Sequence, residues 1–236
     1  MILILSAMPE ELAAITACVD HPTHSRSGGR EITRGTIAQE PVVLAFSRWG
    51  KVAAASTAAH LITSLRPGCV VFTGIAGALR SDLAIGDVVF ASELFQHDLD
   101  ASPFFPPTHI PLLGRSGLET DRALTETLRA AMLAAHGPRA PRTSVETIAT
   151  GDQVIGDPER RRRVLAAVPS AACVEMEGAA VAQVCHEFGL PFACVRMISD
   201  HADETLAPEE VIAMARKSGE YAAGMFRHWL EQRVSP

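Results

Sequence analysis

Short apolar runs rich in β-branched residues alternate along this 236-residue chain with longer stretches of helical periodicity. Several runs are apolar at consecutive positions, which is typical of strands buried on both faces of a sheet. Strands that alternate with helices favour a sheet covered by helices on both faces. The pattern predicts one α/β domain over residues 1–236, with three α/β/α layers around a central mixed, mostly parallel twisted sheet.

Composition excludes several classes of protein. Apolar residues make up 47% of the chain, the net charge is -6, and the one dense basic stretch is residues 160–163, interpreted as a solvated helix start. Nucleic acid is therefore not the expected partner, since phosphate contacts need clustered Lys and Arg. The N-terminal apolar run is too short for a signal peptide or a membrane span. Five cysteines without a CxxC pair favour a reducing cytoplasm.

The periodicities give approximate bounds for each element. Strands are predicted over residues 2–6, 31–37, 41–46, 69–73, 87–93, 143–149 and 191–198. Helices are predicted over residues 10–18, 51–65, 116–136, 159–167, 172–188 and 208–231. The polar, Gly-rich residues 21–30 are predicted to form a loop, and residues 95–114 to be irregular.

Small or polar residues directly follow four predicted strands, at residues 7–11, 74–77, 150–152 and 199–200. Ligands of open α/β sheets bind outside the carboxyl ends of strands, so these segments predict one ligand site. Residues 74–77 form neither a dinucleotide-binding GxGxxG nor a phosphate-binding GxxxxGK[ST], which argues against a nucleoside triphosphate.

Four carboxylates are candidates for chemistry, and Glu11 and Asp200 are the two that lie at these strand ends. Glu175 and Glu177 interrupt an apolar run, and an unpaired charge is costly to bury there. Structural alternatives remain open: one glutamate could be exposed while the other caps a helix start, Asp200 could be an N-cap, and Glu11 could be a solvated helix residue.

Seven segments, in order along nearly the whole chain, resemble the purine nucleoside phosphorylase and uridine phosphorylase superfamily, and within it the 5′-methylthioadenosine/S-adenosylhomocysteine nucleosidases. They are MILILSAMPEEL, SRWGKVAAA, FTGIAGAL with IGDVV, FQHDLDA, IATGDQVI, VEMEGAAVAQVCHEFGLP and VRMISDHAD. The resemblance implies a nucleoside substrate, a homodimer, and neither a cofactor nor a metal. His97, Asp98 and Asp100 on one loop are weak evidence for a metal site.

The resemblance also implies catalytic roles. Asp200 would protonate N7 of a purine leaving group, with Ser199 positioning it, while Glu11 would activate a water on the other face of the sugar. Arg196 would lie beneath that water and hold Glu11 ionised. Glu177 would accept hydrogen bonds from the ribose hydroxyls. The remaining implied contacts are Met176 under the sugar, the backbone of Ile155 at the base edge, and Met8, Ala76 and Glu175 nearby.

Water is favoured over phosphate as the nucleophile. Phosphorylases of this superfamily carry an arginine soon after the first strand and another before the Gly-rich turn. This chain has residues 7–11, which include Glu11, at the first place, and Phe72 and Thr73 at the second. A carboxylate would repel phosphate strongly in a low-dielectric pocket. The alternatives are a phosphorylase, a futalosine-type hydrolase suggested by GIAGA, and a non-catalytic nucleoside-binding relative.

Three positions depart from the nucleosidase pattern. Ile75 replaces a serine, Val154 replaces an aromatic residue that stacks on the base, and Trp49 replaces a small aliphatic residue. Trp49 should reshape the pocket for the 5′ substituent. Arg48 beside it could meet an acidic or polar one; alternatively, it is simply an exposed arginine. In the Pro-rich residues 102–111, Phe104 and Phe105 are candidates for a dimer contact or a substrate lid; alternatively, they merely anchor the loop.

Overall fold

The computed structural model describes residues 1–234 as ten strands and six α-helices, with a short 3₁₀ turn at Gly137–Arg139. The strands are β1 Ile2–Ser6, β2 Asp20–Ser27, β3 Arg30–Ile37, β4 Glu40–Phe46, β5 Cys69–Ala78, β6 Val88–Gln96, β7 Leu118–Glu119, β8 Thr143–Thr150, β9 Ala171–Glu175 and β10 Phe192–Asp200. The helices are α1 Pro9–Thr16, α2 Lys51–Leu65, α3 Arg122–His136, α4 Pro158–Ala167, α5 Gly178–Glu187 and α6 Pro208–Val234.

The strands form one mixed sheet in the order β10-β6-β8-β9-β5-β1-β4-β3-β2, with β7 paired to β6. Strand β10 also pairs with β5, so β10, β6, β8, β9 and β5 close into a ring. Strand β5 runs parallel to both β1 and β10, and its far end pairs antiparallel with β9. Strand β5 therefore brings together the ends of β1, β9 and β10.

Helices cover both faces of the sheet. One apolar cluster packs α2 and α5 against the sheet through residues such as Leu61 and Val181. A second packs α1, α3 and α6 on the opposite face through residues such as Ile15, Leu128 and Phe226. The predicted α/β fold with a central mixed sheet is confirmed. No helix within residues 1–234 is both long enough and apolar enough to cross a membrane.

The predicted loop over residues 21–30 is wrong, because most of it lies in β2. This strand is at the edge of the sheet, pairs antiparallel with β3, and is exposed along almost its whole length. Its side chains are polar on both faces, so the alternation that reveals a half-buried strand is missing. Backbone pairing to β3, rather than side-chain burial, holds it in place.

The predicted helix over residues 172–188 is also wrong in its first part. Residues Ala171–Glu175 form β9, which is buried and pairs with β8 and β5, and α5 begins only at Gly178. A short apolar run does not distinguish a buried strand from a buried helix. Glu175 consequently ends a strand, and Glu177 is the N-cap residue of α5.

Two further bounds differ from the prediction. Helix α3 begins at Arg122 rather than near residue 116, because the Asp121 carboxylate caps it by accepting from the amide of Leu124 at 2.8 Å. Residues just before it pair with β6 as β7. Strand β5 continues to Ala78, through the glycines that the sequence suggested would turn.

Candidate active site

A cavity of about 170 Å³ opens where β1, β5, β9 and β10 end. Most residues that the sequence singled out line it: Met8, Glu11, Trp49, Ile75, Ala76, Val154, Ile155, Glu175, Met176, Glu177, Ser199 and Asp200. Residues that were singled out but do not line it are Arg48, His97, Asp98, Asp100, Phe104, Phe105 and Arg196. The strand ends therefore converge on one cavity, as their order along the chain suggested.

Glu11 lies buried at the bottom of the cavity, in the first turn of α1. Its Oε2 accepts from the backbone amides of Ala7 and Met8 at 3.0 Å each, and its Oε1 accepts from the amide of Ile75 at 3.1 Å. Burial raises the pKa of Glu11 above its ordinary value, although the charge of Arg196 and the three amides oppose the increase. A raised pKa makes this carboxylate a stronger base.

Glu177 projects from the start of α5 toward the loop before α2. Its Oε1 accepts from the backbone amide of Gly50 at 2.8 Å, and its side chain is almost fully buried. Burial, and then the neighbouring charge of Glu175, raise the pKa of Glu177 to about 8. Among residues 1–234, no side chain donates a hydrogen bond to this carboxylate. Its acceptor capacity is therefore available to hydroxyl groups of a ligand.

Arg196 and Glu175 form a buried ion pair in the cavity wall, where Glu175 lines the cavity and Arg196 does not. Arg196 Nη2 donates to Glu175 Oε2 at 2.6 Å, and both side chains are 2% exposed. Glu175 also accepts from Thr150 and from the amides of Glu177 and Gly178. Arg196 hydrogen-bonds to Glu175 rather than to Glu11, but its charge lowers the pKa of Glu11 in the direction expected from sequence, against the larger effect of burial.

Asp200 closes β10 at the other side of the cavity. Its Oδ2 accepts from the Ser199 hydroxyl at 2.6 Å, and its Oδ1 accepts from the amide of Ala202 at 2.8 Å. Ala202 has a φ of 54°, a left-handed conformation that turns the chain back toward the carboxylate. Two donors thus fix the orientation of Asp200, while it remains partly exposed to the cavity.

Two glycines of β5 let the carboxylates approach its backbone. A Cβ atom at Gly74 would lie 2.6 Å from Glu11 Oε1, and one at Gly77 would lie 2.7 Å from Asp200 Oδ1. Both distances are well inside van der Waals contact, so any larger residue would displace a carboxylate. The glycines predicted from sequence as a turn are therefore strand residues whose small size opens the cavity.

The segment after β10 contributes a wall that sequence reasoning missed. Glu204, Thr205 and Leu206 line the cavity together with Val211 from α6. A Cβ atom at Gly156 would lie 2.6 Å from Thr205 Oγ1, so this segment packs against the loop before α4. Residues 204–207 have neither periodicity nor a motif, and only their position after a strand end could have indicated them.

Trp49 and Val154 face the cavity and are 55% and 52% exposed. Among the described residues, Trp49 is the only aromatic one that lines the cavity. Arg48 does not join it, because its Nη2 donates to the backbone oxygen of Gly29 at 3.0 Å. The structure thus turns this cation away from the cavity.

The Pro-rich loop lies outside the cavity of the single chain. Phe104 is 87% exposed, and Phe105 stacks on His109 with the ring centroids 5.3 Å apart. On the neighbouring loop, Asp98 binds Lys51 Nζ at 2.6 Å and accepts from the amide of Asp152 at 2.8 Å. Within residues 1–234, no group of three His, Cys, Asp or Glu side chains could hold a metal ion.

The ionisable side chains that line the cavity are all acidic. Five carboxylates line it: Glu11, Glu175, Glu177, Asp200 and Glu204. No lysine, arginine or histidine from the described part of the chain lines it. Such a cavity suits a neutral ligand that donates hydrogen bonds or develops positive charge, and it repels anions.

Comparison with known proteins places this geometry in a family. Residues 1–231 match the Phosphorylase superfamily. A 5′-methylthioadenosine/S-adenosylhomocysteine nucleosidase of Shewanella sp. (strain W3-18-1) is 36% identical, over 97% of either chain. The solved nucleosidase of Neisseria meningitidis with methylthio-immucillin-A has a TM-score of 0.89 at 29% identity, over 98% of either chain. A futalosine hydrolase structure from Helicobacter pylori strain 26695 has a TM-score of 0.86 at 33% identity, covering 98% of this chain and 97% of that one.

The match to the family spans nearly the whole chain, and the similarity to the Shewanella relative is equally extensive. The sheet, the helices and the carboxylate-lined cavity all lie within the matched residues. This chain therefore belongs to the phosphorylase superfamily and is an enzyme of its nucleosidase branch.

Proposed function

We propose that this enzyme hydrolyses the N-glycosidic bond of a purine nucleoside that carries a 5′ substituent. One observation carries the proposal: the carboxylates of Glu11, in the helix that follows β1, and of Asp200, at the end of β10, border one cavity on either side of β5. They approach β5 at Gly74 and Gly77, which are three residues apart, or about 10 Å along a strand. That spacing leaves room for a nucleoside between a base and an acid.

The reaction divides between the two carboxylates. Asp200 donates a proton to N7 of the purine as the C1′–N9 bond breaks, so the base leaves without negative charge. A water oxygen bonds to C1′ of the oxocarbenium-like sugar from the opposite face, and its proton passes to Glu11. Glu177 accepts hydrogen bonds from the ribose hydroxyls, and Met176 packs under the ring. Ser199 holds Asp200 in position through their hydrogen bond.

Water, rather than phosphate, is the nucleophile in this proposal. No cationic side chain among residues 1–234 lines the cavity, and five carboxylates do. Phosphate would need at least one cation to offset its repulsion by Glu11. The ion pair with Glu175 keeps Arg196 behind the cavity wall.

The 5′ substituent that we favour is the thioether of 5′-methylthioadenosine or S-adenosylhomocysteine, the substrates named for the Shewanella relative. Futalosine is the second candidate, supported by the similarity to the Helicobacter pylori futalosine hydrolase. Arg48 gives no support to an acidic substituent, since it faces Gly29.

A homodimer remains part of the proposal. Phe104 lies outside the cavity of one chain, and its ring is almost fully exposed. Contact with a second copy would cover that ring. Sedimentation equilibrium of the wild-type protein and of Phe104→Ser tests the dimer. We expect the wild type to be a dimer and Phe104→Ser to dissociate more readily.

The decisive experiment measures base release from 5′-methylthioadenosine, S-adenosylhomocysteine, futalosine and inosine, with and without phosphate. We expect phosphate-independent release, fastest with one of the two thioethers. Asp200→Asn should lower kcat by about 10²- to 10⁴-fold, the range of general acid catalysis. Asp203→Asn, an exposed neighbour outside the cavity, is the matched control. Full activity of Asp200→Asn, or turnover only with phosphate, would contradict the proposal.

A further inference from the structure

The arginine run at the start of α4 is tied to a loop that lines the cavity. Arg160 Nη1 donates to the backbone oxygen of Val154 at 3.1 Å, and Arg160 Nε lies 3.2 Å from Asp157 Oδ2. Asp157 also caps the helix by accepting from the amides of Glu159 and Arg160. The Val154 carbonyl is thus anchored to a helix start that is itself fixed.

Because Arg160 holds the Val154 carbonyl, it also sets the direction of the N–H group in the same peptide bond. The bond between Val154 and Ile155 is trans, so its C=O and N–H point in opposite directions. With the carbonyl directed to Arg160, the Ile155 N–H is directed away from α4. Ile155 is 6% exposed and lines the cavity, and its amide has no hydrogen-bond partner within residues 1–234. Buried amides in proteins are almost always paired, so this one is available to a ligand.

We propose that Arg160 is a positioning residue for recognition of the base edge. It holds the 154–155 peptide so that the Ile155 N–H donates to an acceptor ring nitrogen of the base. The inference rests on the proposed function, because it requires a purine in the cavity. A 6-aminopurine offers an unprotonated N1 to this donor, whereas a 6-oxopurine offers an N–H that cannot accept. Arg160 thereby favours the first class of base.

The other arginines of the run hold different partners. Arg161 donates to the backbone oxygen of Leu79, Arg162 to that of Pro158, and Arg163 to the carboxylate of Glu159. Arg160 is the member of the run that binds a residue of the cavity wall. Since Val154 offers no aromatic ring for stacking, edge hydrogen bonds contribute a larger share of base recognition.

The test compares two ligands that differ at one ring atom. Binding of adenine and 1-deazaadenine is measured by calorimetry, and kcat and KM are measured for the matching 5′-methylthio nucleosides. We expect Arg160→Ala to weaken adenine binding and to raise KM about three- to tenfold, the range expected for one neutral hydrogen bond. With the 1-deaza ligands it should change neither. Arg160→Lys keeps a donor and should restore most of the loss, and Arg163→Ala is the matched control.

Each other outcome overturns the inference. An equal loss with both ligands means that Arg160 only stabilises the loop, and no loss with either means that it does not orient the peptide. Binding is measured without turnover, so a protein that binds adenine in an Arg160-dependent way but releases no base contradicts the proposed function alone. Thermal midpoints of the variants show whether α4 is intact.

Discussion

The two sides of the cavity are built in different ways. On the carboxylate side, which we define as Glu11, Glu175 and Glu177, the charged groups are almost fully buried. On the loop side, defined as Val154, Ile155 and residues 204–206, Val154 is half exposed and the walls come from connecting segments. Backbone amides hold the carboxylates, whereas one half-exposed arginine anchors the Val154 carbonyl.

This difference separates catalysis from specificity. Buried charges held by short, rigid hydrogen bonds need no reorganisation during the reaction, which is how preorganised sites stabilise a transition state. Loops tolerate substitution and can change the preferred ligand without disturbing the sheet. The carboxylate side should therefore determine the rate of bond cleavage, and the loop side should determine which nucleoside is cleaved.

The largest effect should follow from Glu11→Gln. The change keeps the size of the side chain but removes the base, so kcat should fall about 10²- to 10⁴-fold. Glu10→Gln is the matched control, because Glu10 is the preceding residue of α1 and does not line the cavity. Steady-state kinetics of both variants with 5′-methylthioadenosine provide the measurement. Equal kcat values would show that the carboxylate side does not set the rate.

A smaller loss should follow from Gly74→Ala. The new methyl group would lie 2.6 Å from Glu11 Oε1 and 3.2 Å from Arg196 Nη1, so the carboxylate must move. Displacement of a reacting group by about 1 Å can cost about 10²-fold, and we expect kcat to fall about 10- to 100-fold. Gly68→Ala is the control, since its methyl group would meet only the Met1 backbone oxygen at 3.8 Å. If both variants kept the wild-type kcat, the close packing of Glu11 against the β5 backbone would not be needed to position its carboxylate.

The sequence predicted the carboxylate side better than the loop side. Glu11 closely follows the apolar strand β1, and Glu175 and Glu177 interrupt an apolar run, so burial of these runs carries the carboxylates with it. Residues 204–206 have no such signal, because a loop wall depends on contacts with distant segments such as Gly156. Among the strands, β2 was missed because both of its faces are exposed and polar, so no alternation of apolar and polar residues marks it.

The ion pair between Arg196 and Glu175 could not be predicted from the sequence either. Its position on β10 places it level with Gly74, but Glu175 could be its partner only once β9 was known to be a strand. Because residues 172–175 were predicted as a helix, the geometry that brings Glu175 to Arg196 was hidden. The hydrogen-bonded partner of Arg196 was therefore missed, while its electrostatic effect on Glu11 has the expected direction.

A smaller effect is expected in the pH dependence of the free energy of unfolding, to which the buried Glu177 of the carboxylate side should contribute. Burial raises the pKa of Glu177 to about 8 in the folded protein, so between the unfolded value of 4.5 and about 8 the folded state binds more protons. Its stability should therefore fall as pH rises through this window, by at most about 1.4 kcal/mol per pH unit from this group. Glu177→Gln should flatten that decline, as measured by urea denaturation from pH 5 to pH 8.

The control for this measurement is Glu31→Gln, which changes an exposed carboxylate of β3. It should leave the slope of stability against pH unchanged. Glu11 also has a raised pKa and contributes a slope of the same sign, so Glu177→Gln should reduce the decline without abolishing it. Parallel curves for the wild type and Glu177→Gln would show that Glu177 titrates normally in the folded protein.

The smallest effect should come from the loop side, with Val154→Phe. Val154 is 52% exposed at the cavity, so a larger ring can be added there without displacing a buried group. A ring stacked on the base contributes about 0.5–1.5 kcal/mol, so KM for a 6-aminopurine nucleoside should fall about two- to tenfold while kcat stays constant. Val52→Phe, at an exposed position of α2 outside the cavity, should change neither constant. A large change in kcat for Val154→Phe would contradict the separation of catalysis from specificity, because the loop side would then also set the rate of cleavage.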